Sequence, residues 1–188
     1  NHRVLCCPRG APCGRLLAGR TGQPGEGLDQ LSSPNGLSLG SDGSVFVADT
    51  DNNRVIRFRV GVSKGEVVAG GRGEGDDPSQ VGFPTGVAVT RTGAIVVSER
   101  YRQASTYRVT QWMCGDARGV ALAYGGLDEL NMPWGILEAP CGGLLIVDAG
   151  HYCVLYWPPG AREGQRVAGG RRGSALNQMK NPCGIALA

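Results

Sequence analysis

The chain has 188 residues, a length that suits one domain or part of a larger one. Hydrophobic residues make up 41% of it and charged residues 19%, which excludes a disordered chain, and its 32 glycines follow no three-residue period, which excludes collagen. A turn-rich all-β domain is the simplest prediction. The net charge is only +3, although arginine supplies 17 of the 19 basic residues, so charge alone predicts neither a nucleic-acid nor a membrane partner.

Apolar runs and cysteines give little sign of special chemistry. The longest apolar run, Leu144–Val147, falls far short of the roughly 18 residues that span a bilayer, and no leader is visible, so we expect no membrane insertion and favour the cytoplasm. The seven cysteines are odd in number and contain no Cys-x-x-Cys pair. We therefore expect free thiols, with neither a disulfide framework nor a metal site.

Short apolar, β-branched runs bounded by Gly or Asp predict strands along the whole chain. Each run is about five residues long, too short for a helix. In chain order the predicted strands are residues 1–5, 15–19, 34–39, 45–47, 52–56, 66–71, 84–89, 95–97, 120–126, 133–137, 144–146, 151–155, 165–170 and 182–187.

These strands belong to a repeat of 49 or 50 residues. Each unit opens with Pro-x-Gly before an apolar strand, and an acidic residue follows fifteen positions after the proline. The prolines and glycines are Pro34, Gly36, Pro84, Gly86, Pro133, Gly135, Pro182 and Gly184, and the acidic residues are Asp49, Glu99 and Asp148. Four strands in a unit of this length predict the blade of a β-propeller.

The third strand of a unit begins with Asn-x-Arg-Val, at Asn1 and again at Asn52. Together with Pro-x-Gly and the acidic residue, this pattern resembles the NHL repeat over essentially the whole chain. The resemblance implies a propeller of five or six blades, of which about four blade equivalents are present. Two units depart from the pattern, with Arg102–Ser105 and His151–Cys153 where Asn-x-Arg-Val is expected, so their turns are predicted to be irregular.

The phase of the repeat predicts the limits of the blades. Residues 1–33 are the trailing part of one blade, 34–83, 84–132 and 133–181 are full blades, and 182–188 are the first strand of the next. The second strand of one unit is missing, which would leave unpaired strand edges, so we expect the chain to be a piece of a longer protein.

Structural roles explain most of the repeated residues. Proline suits the first position of a strand, and glycine suits turns and close strand contacts. Arg54 is expected to pair with Asp49 in its own blade. The Gly-rich segments after the fourth strands lack the lysine of a phosphate-binding loop and are interpreted as connections between blades.

The sequence predicts a non-catalytic scaffold that binds a protein partner through its loops, with no cofactor and no metal. His2 and His151 stand at neighbouring repeat positions and should point to opposite faces, and no Ser-His-Asp or Glu-His pair is visible. Loops on a rigid scaffold commonly carry recognition. The candidate binding residues are the loop cations Arg72, Arg100, Arg102, Arg171, Arg172 and Lys180.

Two alternatives stay open at this stage. Because arginine is in excess and Tyr101 lies near the loop cations, the chain could bind single-stranded RNA or recognise substrates for a ubiquitin ligase, as the resemblance to tripartite-motif proteins implies. Trp134 is expected to pack between blades instead. The second alternative is a fragment of a metal-dependent propeller lyase or hydrolase, since the NHL family includes such enzymes.

Overall fold

The computed structural model describes residues 1–10, 14–101, 106–125 and 130–187. Short antiparallel strands make up the described chain, with one 3₁₀ turn at Thr50–Asn52. The all-β propeller prediction is confirmed by this architecture. No helix in the described ranges has the length and apolar character needed to cross a bilayer.

The strands form one two-stranded and three four-stranded antiparallel sheets, each in chain order. The half-blade contains β1 (Arg3–Cys6) and β2 (Arg15–Gly19). Blade 1 contains β3 (Pro34–Leu39), β4 (Val45–Asp49), β5 (Arg54–Phe58) and β6 (Glu66–Gly70). Blade 2 contains β7 (Pro84–Val89), β8 (Ile95–Arg100), β9 (Tyr107–Trp112) and β10 (Val120–Gly125). Blade 3 contains β11 (Pro133–Glu138), β12 (Leu144–Asp148), β13 (Cys153–Trp157) and β14 (Gln165–Gly169).

Two strand predictions need correction. The third strand of blade 2 is β9, which the repeat pattern did not predict because four extra residues precede its Arg108-Val109 pair; Arg102–Ser105 lie outside the described residues. Residues 182–187 form no strand, since no described second strand runs beside them. Their backbone still reaches blade 3, where the N–H of Gly135 donates to the carbonyl of Cys183 at 2.9 Å.

Each blade has two ends that differ in their connections. The loop end carries the links between second and third strands, such as 50–53, and the links between blades, such as 71–83. The turn end carries the connections between first and second strands, such as 90–94, and between third and fourth strands, such as 158–164. All the predicted binding cations therefore belong to the loop end, apart from Arg102, which is outside the described residues.

The hydrophobic core lies between blades, because strand alternation sends apolar side chains to both faces of every sheet. Val47 and Ile56 of blade 1 pack against Leu31 near the half-blade. The opposite face of blade 1 packs on blade 2, and blade 2 packs in the same way on blade 3. A blade is thus stable only with its neighbours, as expected for a repeat protein.

The innermost strands approach one another through the repeated glycines. A Cβ on Gly36 would lie 2.6 Å from the Cα of Gly86, and a Cβ on Gly135 would lie 3.2 Å from the Cα of Gly184. A Cβ on Gly86 would in turn collide with the carbonyl oxygen of Trp134 and would lie 2.7 Å from the Oγ of Ser98. Glycine is required here because a side chain would separate the inner strands.

Replacing Gly86 with alanine should lower the free energy of unfolding by about 1 to 3 kcal/mol, the usual cost of overpacking. Gly184→Ala is the matched control, because no atom of the described residues, its two chain neighbours aside, lies within 4 Å of a Cβ at Gly184. Urea denaturation of the two variants measures the difference. Equal stabilities would contradict the inferred glycine contact.

Candidate functional site

A buried carboxylate is the last or next-to-last residue of the second strand in every full blade. Asp49, Glu99 and Asp148 are each 0% exposed. Each accepts the backbone N–H of the residue two positions before the proline of its own blade: Asp49 Oδ1 from Ser32 at 2.6 Å, Glu99 Oε2 from Gly82 at 2.9 Å and Asp148 Oδ1 from Asn131 at 3.2 Å. The carboxylate therefore fixes the segment that leads into the innermost strand.

An arginine connects this carboxylate to the preceding interblade loop in blade 1. The Nε of Arg54 donates to Asp49 Oδ2 at 2.7 Å, as the sequence suggested. Its other N–H groups donate to the carbonyls of Glu26, Gly27 and Gln30 at 2.7 to 3.1 Å. Four hydrogen bonds fix the buried guanidinium, so it belongs to the scaffold.

Blade 2 contains the same arrangement in spite of its irregular sequence. Arg108 donates from Nε to Glu99 Oε2 at 3.0 Å and from its terminal nitrogens to the carbonyls of Asp76 and Gln80 at 2.8 and 2.7 Å. Arg108 lies nine residues after its carboxylate, whereas Arg54 lies five after Asp49. The arginine of the expected Asn-x-Arg-Val motif is thus replaced by one four residues later that makes the same link between carboxylate and interblade loop.

Blade 3 has Cys153 at the position of Arg54, and its carboxylate contacts a histidine. The Nδ1 of His151 lies 2.9 Å from Asp148 Oδ2, a carboxylate–histidine pair that sequence reasoning missed. The available signal was the register, because His151 stands where blade 1 has Asn52. Asn52 links Asp49 Oδ2 at 2.8 Å to the carbonyl of Gly25 at 2.9 Å, so this position joins the carboxylate to the preceding loop.

The other histidine belongs to a different repeat position. The Nδ1 of His2 accepts the N–H of Ser33 at 3.1 Å, and Asn53 Oδ1 accepts the N–H of Phe83 at 2.9 Å in the following unit. Ser33 and Phe83 each precede a blade proline and have φ values of 49° and 38°, a conformation that costs non-glycine residues energy. His2 thus stabilises a strained turn in the half-blade, away from His151 in blade 3.

Glu99 is surrounded by more donors than the other two carboxylates. The hydroxyl of Thr110 donates to Oε1, the indole N–H of Trp112 donates to Thr110 at 3.0 Å, and the Tyr101 hydroxyl donates to Oε2 at 3.3 Å. Burial nevertheless raises the pKa of Glu99 above its usual range, against the opposing effect of Arg108. Burial and the Glu99 charge likewise raise the pKa of Tyr101.

Arg100 is the predicted cation with the most distinctive surroundings. Its guanidinium carbon lies 5.2 Å from the ring centre of Phe83 and 5.6 Å from that of Trp134, in the next blade. Among described residues it forms no ion pair. Trp134 is half-buried and contacts Arg100 at the start of the innermost strand, at the loop end of blades 2 and 3.

The remaining predicted cations are not brought together with Arg100. The described ones are all exposed and lie in interblade loops, before blade 2 or after blade 3: Arg72, Arg171, Arg172 and Lys180. Arg171 lines a shallow depression of about 500 Å³ beside Arg166. Arg102 lies outside the described residues, and the binding roles assigned to these cations stay predictions.

A scan of protein families matches residues 31–58 to the NHL repeat. The strand order, the recurrent carboxylate and this match together confirm the predicted family resemblance. The chain is a β-propeller with an NHL repeat at residues 31–58. No curated protein sequence matches it.

Three solved structures that resemble this propeller come from bacteria. A gluconolactonase from Xanthomonas campestris shares 20% identity at a TM-score of 0.58, over 75% of this chain and 48% of that one. An inactive variant of virginiamycin B lyase from Staphylococcus aureus, with quinupristin, shares 15% identity at a TM-score of 0.54, over 82% of this chain and 45% of that one. A PQQ-bound aldose sugar dehydrogenase from Streptomyces coelicolor shares 16% identity at a TM-score of 0.53, over 77% of this chain and 47% of that one. The chain spans about half the length of these structures.

The prediction that this propeller is not an enzyme is wrong on this comparison, because the solved structures that share its fold are enzymes. That prediction rested on two histidines expected to point to opposite faces and on the lack of a Ser-His-Asp or Glu-His pair, whereas a propeller can gather groups from separate blades. At identities of 15 to 20% the likeness itself shows the fold alone.

The buried Glu99 should give the propeller a specific pH dependence. Because its pKa is raised in the folded state, its stabilising contribution is complete below the ordinary value of 4.5 and declines as pH rises through the raised pKa. The free energy of unfolding of the native protein should therefore fall relative to that of the Glu99→Gln variant as pH rises above 4.5. Denaturant unfolding over a pH series measures it.

Glu66→Gln is a control of opposite sign. The pKa of Glu66 is lowered by its hydrogen bond with Arg57, so its contribution is present above the ordinary value and is lost as pH falls. Parallel pH profiles for the two variants would contradict the assigned protonation behaviour of Glu99.

Proposed function

We propose that this chain is part of a propeller enzyme of the hydrolase or lyase class that acts at the loop end, with Arg100 as its substrate-binding cation. The support is the position of Arg100 at the loop end, beside Trp134 near the start of an innermost strand, together with the enzymes that share the fold. Substrate sites in proteins occupy concave regions where several elements meet.

The observation that carries the proposal is the contrast between Arg100 and the scaffold arginines. Arg54 and Arg108 spend their N–H groups on a carboxylate and on backbone carbonyls. Arg100 has aromatic neighbours in place of a carboxylate among the described residues. Stacking uses the flat faces of a guanidinium, so the in-plane N–H edge is available for an oxyanion.

Such a cation suits both reaction classes. Acyl hydrolysis places negative charge on the oxygen of a tetrahedral intermediate, and elimination beside a carbonyl places it on an enolate oxygen. A donor that is fixed before the reaction stabilises this charge without reorganisation. Phe83 and Trp134 supply that fixation, because the two rings limit the rotamers open to Arg100.

The metal that the family resemblance implied does not fit the described residues. Within them, no group of three or more His, Cys, Asp or Glu side chains comes together. Asp148 is occupied by His151 and by backbone N–H groups, and Glu99 by Arg108. The proposed reaction therefore assigns no step to a metal. Protein and RNA partners at the loop end stay predictions.

Activity of the full-length protein tests the proposal. We expect it to hydrolyse an aldonolactone or to cleave a cyclic depsipeptide such as quinupristin, and Arg100→Gln should lower kcat by about 10²- to 10³-fold, as for removal of one oxyanion donor. Arg100→Lys should not restore the rate, because an ammonium lacks the flat stacking geometry.

Arg162→Gln is the matched control, since Arg162 is an exposed cation at the opposite, turn end and should leave kcat unchanged. Circular dichroism of each variant confirms folding. Wild-type protein that only oxidises aldoses with PQQ, or that turns over neither substrate class, would overturn the proposal, as would an Arg100→Gln variant of full activity.

A further inference from the structure

A cavity of about 430 Å³ opens between blades 2 and 3 at the turn end. It lies at the opposite end of the sheets from Arg100, so it is separate from the site proposed above. Its walls come from both blades, with Val96, Gln111 and Ala121 on one side and Leu144, Trp157 and Glu138 on the other. Its volume is in the range of small-molecule sites, roughly 300 to 1,000 Å³.

The preceding interface shows what normally fills this space. In blade 1, Phe46 and Arg57 are cross-strand partners on β4 and β5, and the Arg57 guanidinium lies 6.0 Å from the Phe46 ring centre. Arg57 also donates to Glu66 at 2.6 Å. Phe46 packs in the same core as Trp112 of blade 2. A ring, a cation and a carboxylate thus close the interface between blades 1 and 2.

Blade 2 lacks this group at the same register. The cross-strand pair of β8 and β9 that corresponds to Phe46 and Arg57 is Val96 and Gln111. The neighbour of Gln111 on β10 is Val120, where blade 1 has Glu66. Val96 still packs in one core with Trp157 of blade 3, but the phenyl ring and guanidinium are missing. The cavity occupies the volume that they would fill.

Polar groups line the cavity at positions that suit a cationic ligand. The Gln111 side-chain amide has no hydrogen-bond partner among the described residues. Glu138 reaches the cavity from β11 and is 19% exposed in its side chain; its Oε2 accepts the N–H of Arg91 at 2.7 Å. Its other oxygen has no partner among the described residues. The Nε of Arg91 lies 3.4 Å from Glu138 Oε2, and the Arg91 side chain is 69% exposed. Because water screens such an exposed pair, Arg91 neutralises the carboxylate only weakly.

We propose that the cavity between blades 2 and 3 binds a small aromatic cation, which supplies the ring and the positive charge that Phe46 and Arg57 supply one interface earlier. The Trp157 ring and the apolar walls receive the aromatic part. Glu138 and Gln111 receive the N–H groups of the cation. Because the site lies at the turn end, it can bind without occupying the loop end.

Benzamidine is the probe, with benzamide and benzoate as neutral and anionic analogues of nearly the same shape. The indole N–H resonances of the full-length protein report binding, because Trp157 lines the cavity and donates to the carbonyl of Ala161 at 3.0 Å. We expect benzamidine to shift the Trp157 resonance with the tightest Kd of the three. Trp134, at the loop end, should not shift.

Val96→Phe rebuilds the blade 1 side chain and should weaken benzamidine binding by about 10- to 100-fold, since it refills the volume of one phenyl ring. Ala121→Val fills a smaller part of the same cavity, so it tests the proposal even if the Val96→Phe variant does not fold. Val60→Phe adds a ring at a site that is 71% exposed, in a turn of blade 1 and outside the cavity, and should change nothing. Glu138→Gln should remove the preference for benzamidine over benzamide.

Three results would overturn the proposal: no shift of Trp157 with benzamidine at millimolar concentration, equal binding of benzamidine and benzoate, or full binding by folded Val96→Phe or Ala121→Val protein. Loss of enzymatic activity has no part in this test. The loop-end proposal and this one can therefore fail separately.

Discussion

The buried carboxylate at the end of each second strand is the interaction on which the loop end depends. Asp49, Glu99 and Asp148 are buried away from water. An unpaired charge in such a place costs several kcal/mol, so each carboxylate needs hydrogen-bond donors from the protein. The donors come from the segment before the innermost strand and from the third strand or its preceding turn. One side chain per blade thereby joins parts of the chain that no strand ladder connects.

This constraint separates what can vary in the propeller from what cannot. Blade 2 accepts four extra residues in its loop because Arg108 still reaches Glu99, and Arg100, the last residue of β8, contacts Phe83 and Trp134. At the turn end the charged pairs of the described residues reach solvent, as in Arg57 with Glu66 and Arg91 with Glu138. Blade 2 has Val96 and Gln111 in place of Phe46 and Arg57 there, so space opens without leaving a buried charge unpaired.

The repeat pattern predicted the blades because proline, glycine and the acidic residue act within one unit. It did not predict β9, since the insertion moved Arg108 out of register, nor the His151 pair, since histidine took the place of asparagine. The stacking of Arg100 on Trp134 joins residues 34 positions apart in different blades, and no periodicity reports it. The cavity likewise follows from side-chain volumes at a cross-strand pair, which become visible only once the register is known.

Hydrogen exchange of three backbone amides tests most directly whether the carboxylates hold the loop end rigid. The N–H groups of Ser32, Gly82 and Asn131 lie outside the strands but donate to buried carboxylates. We predict exchange as slow as that of the central strands, limited by global unfolding. The exposed amide of Gly73, in an interblade loop, should exchange rapidly. Exchange of the three amides at the rate of Gly73 would contradict the account.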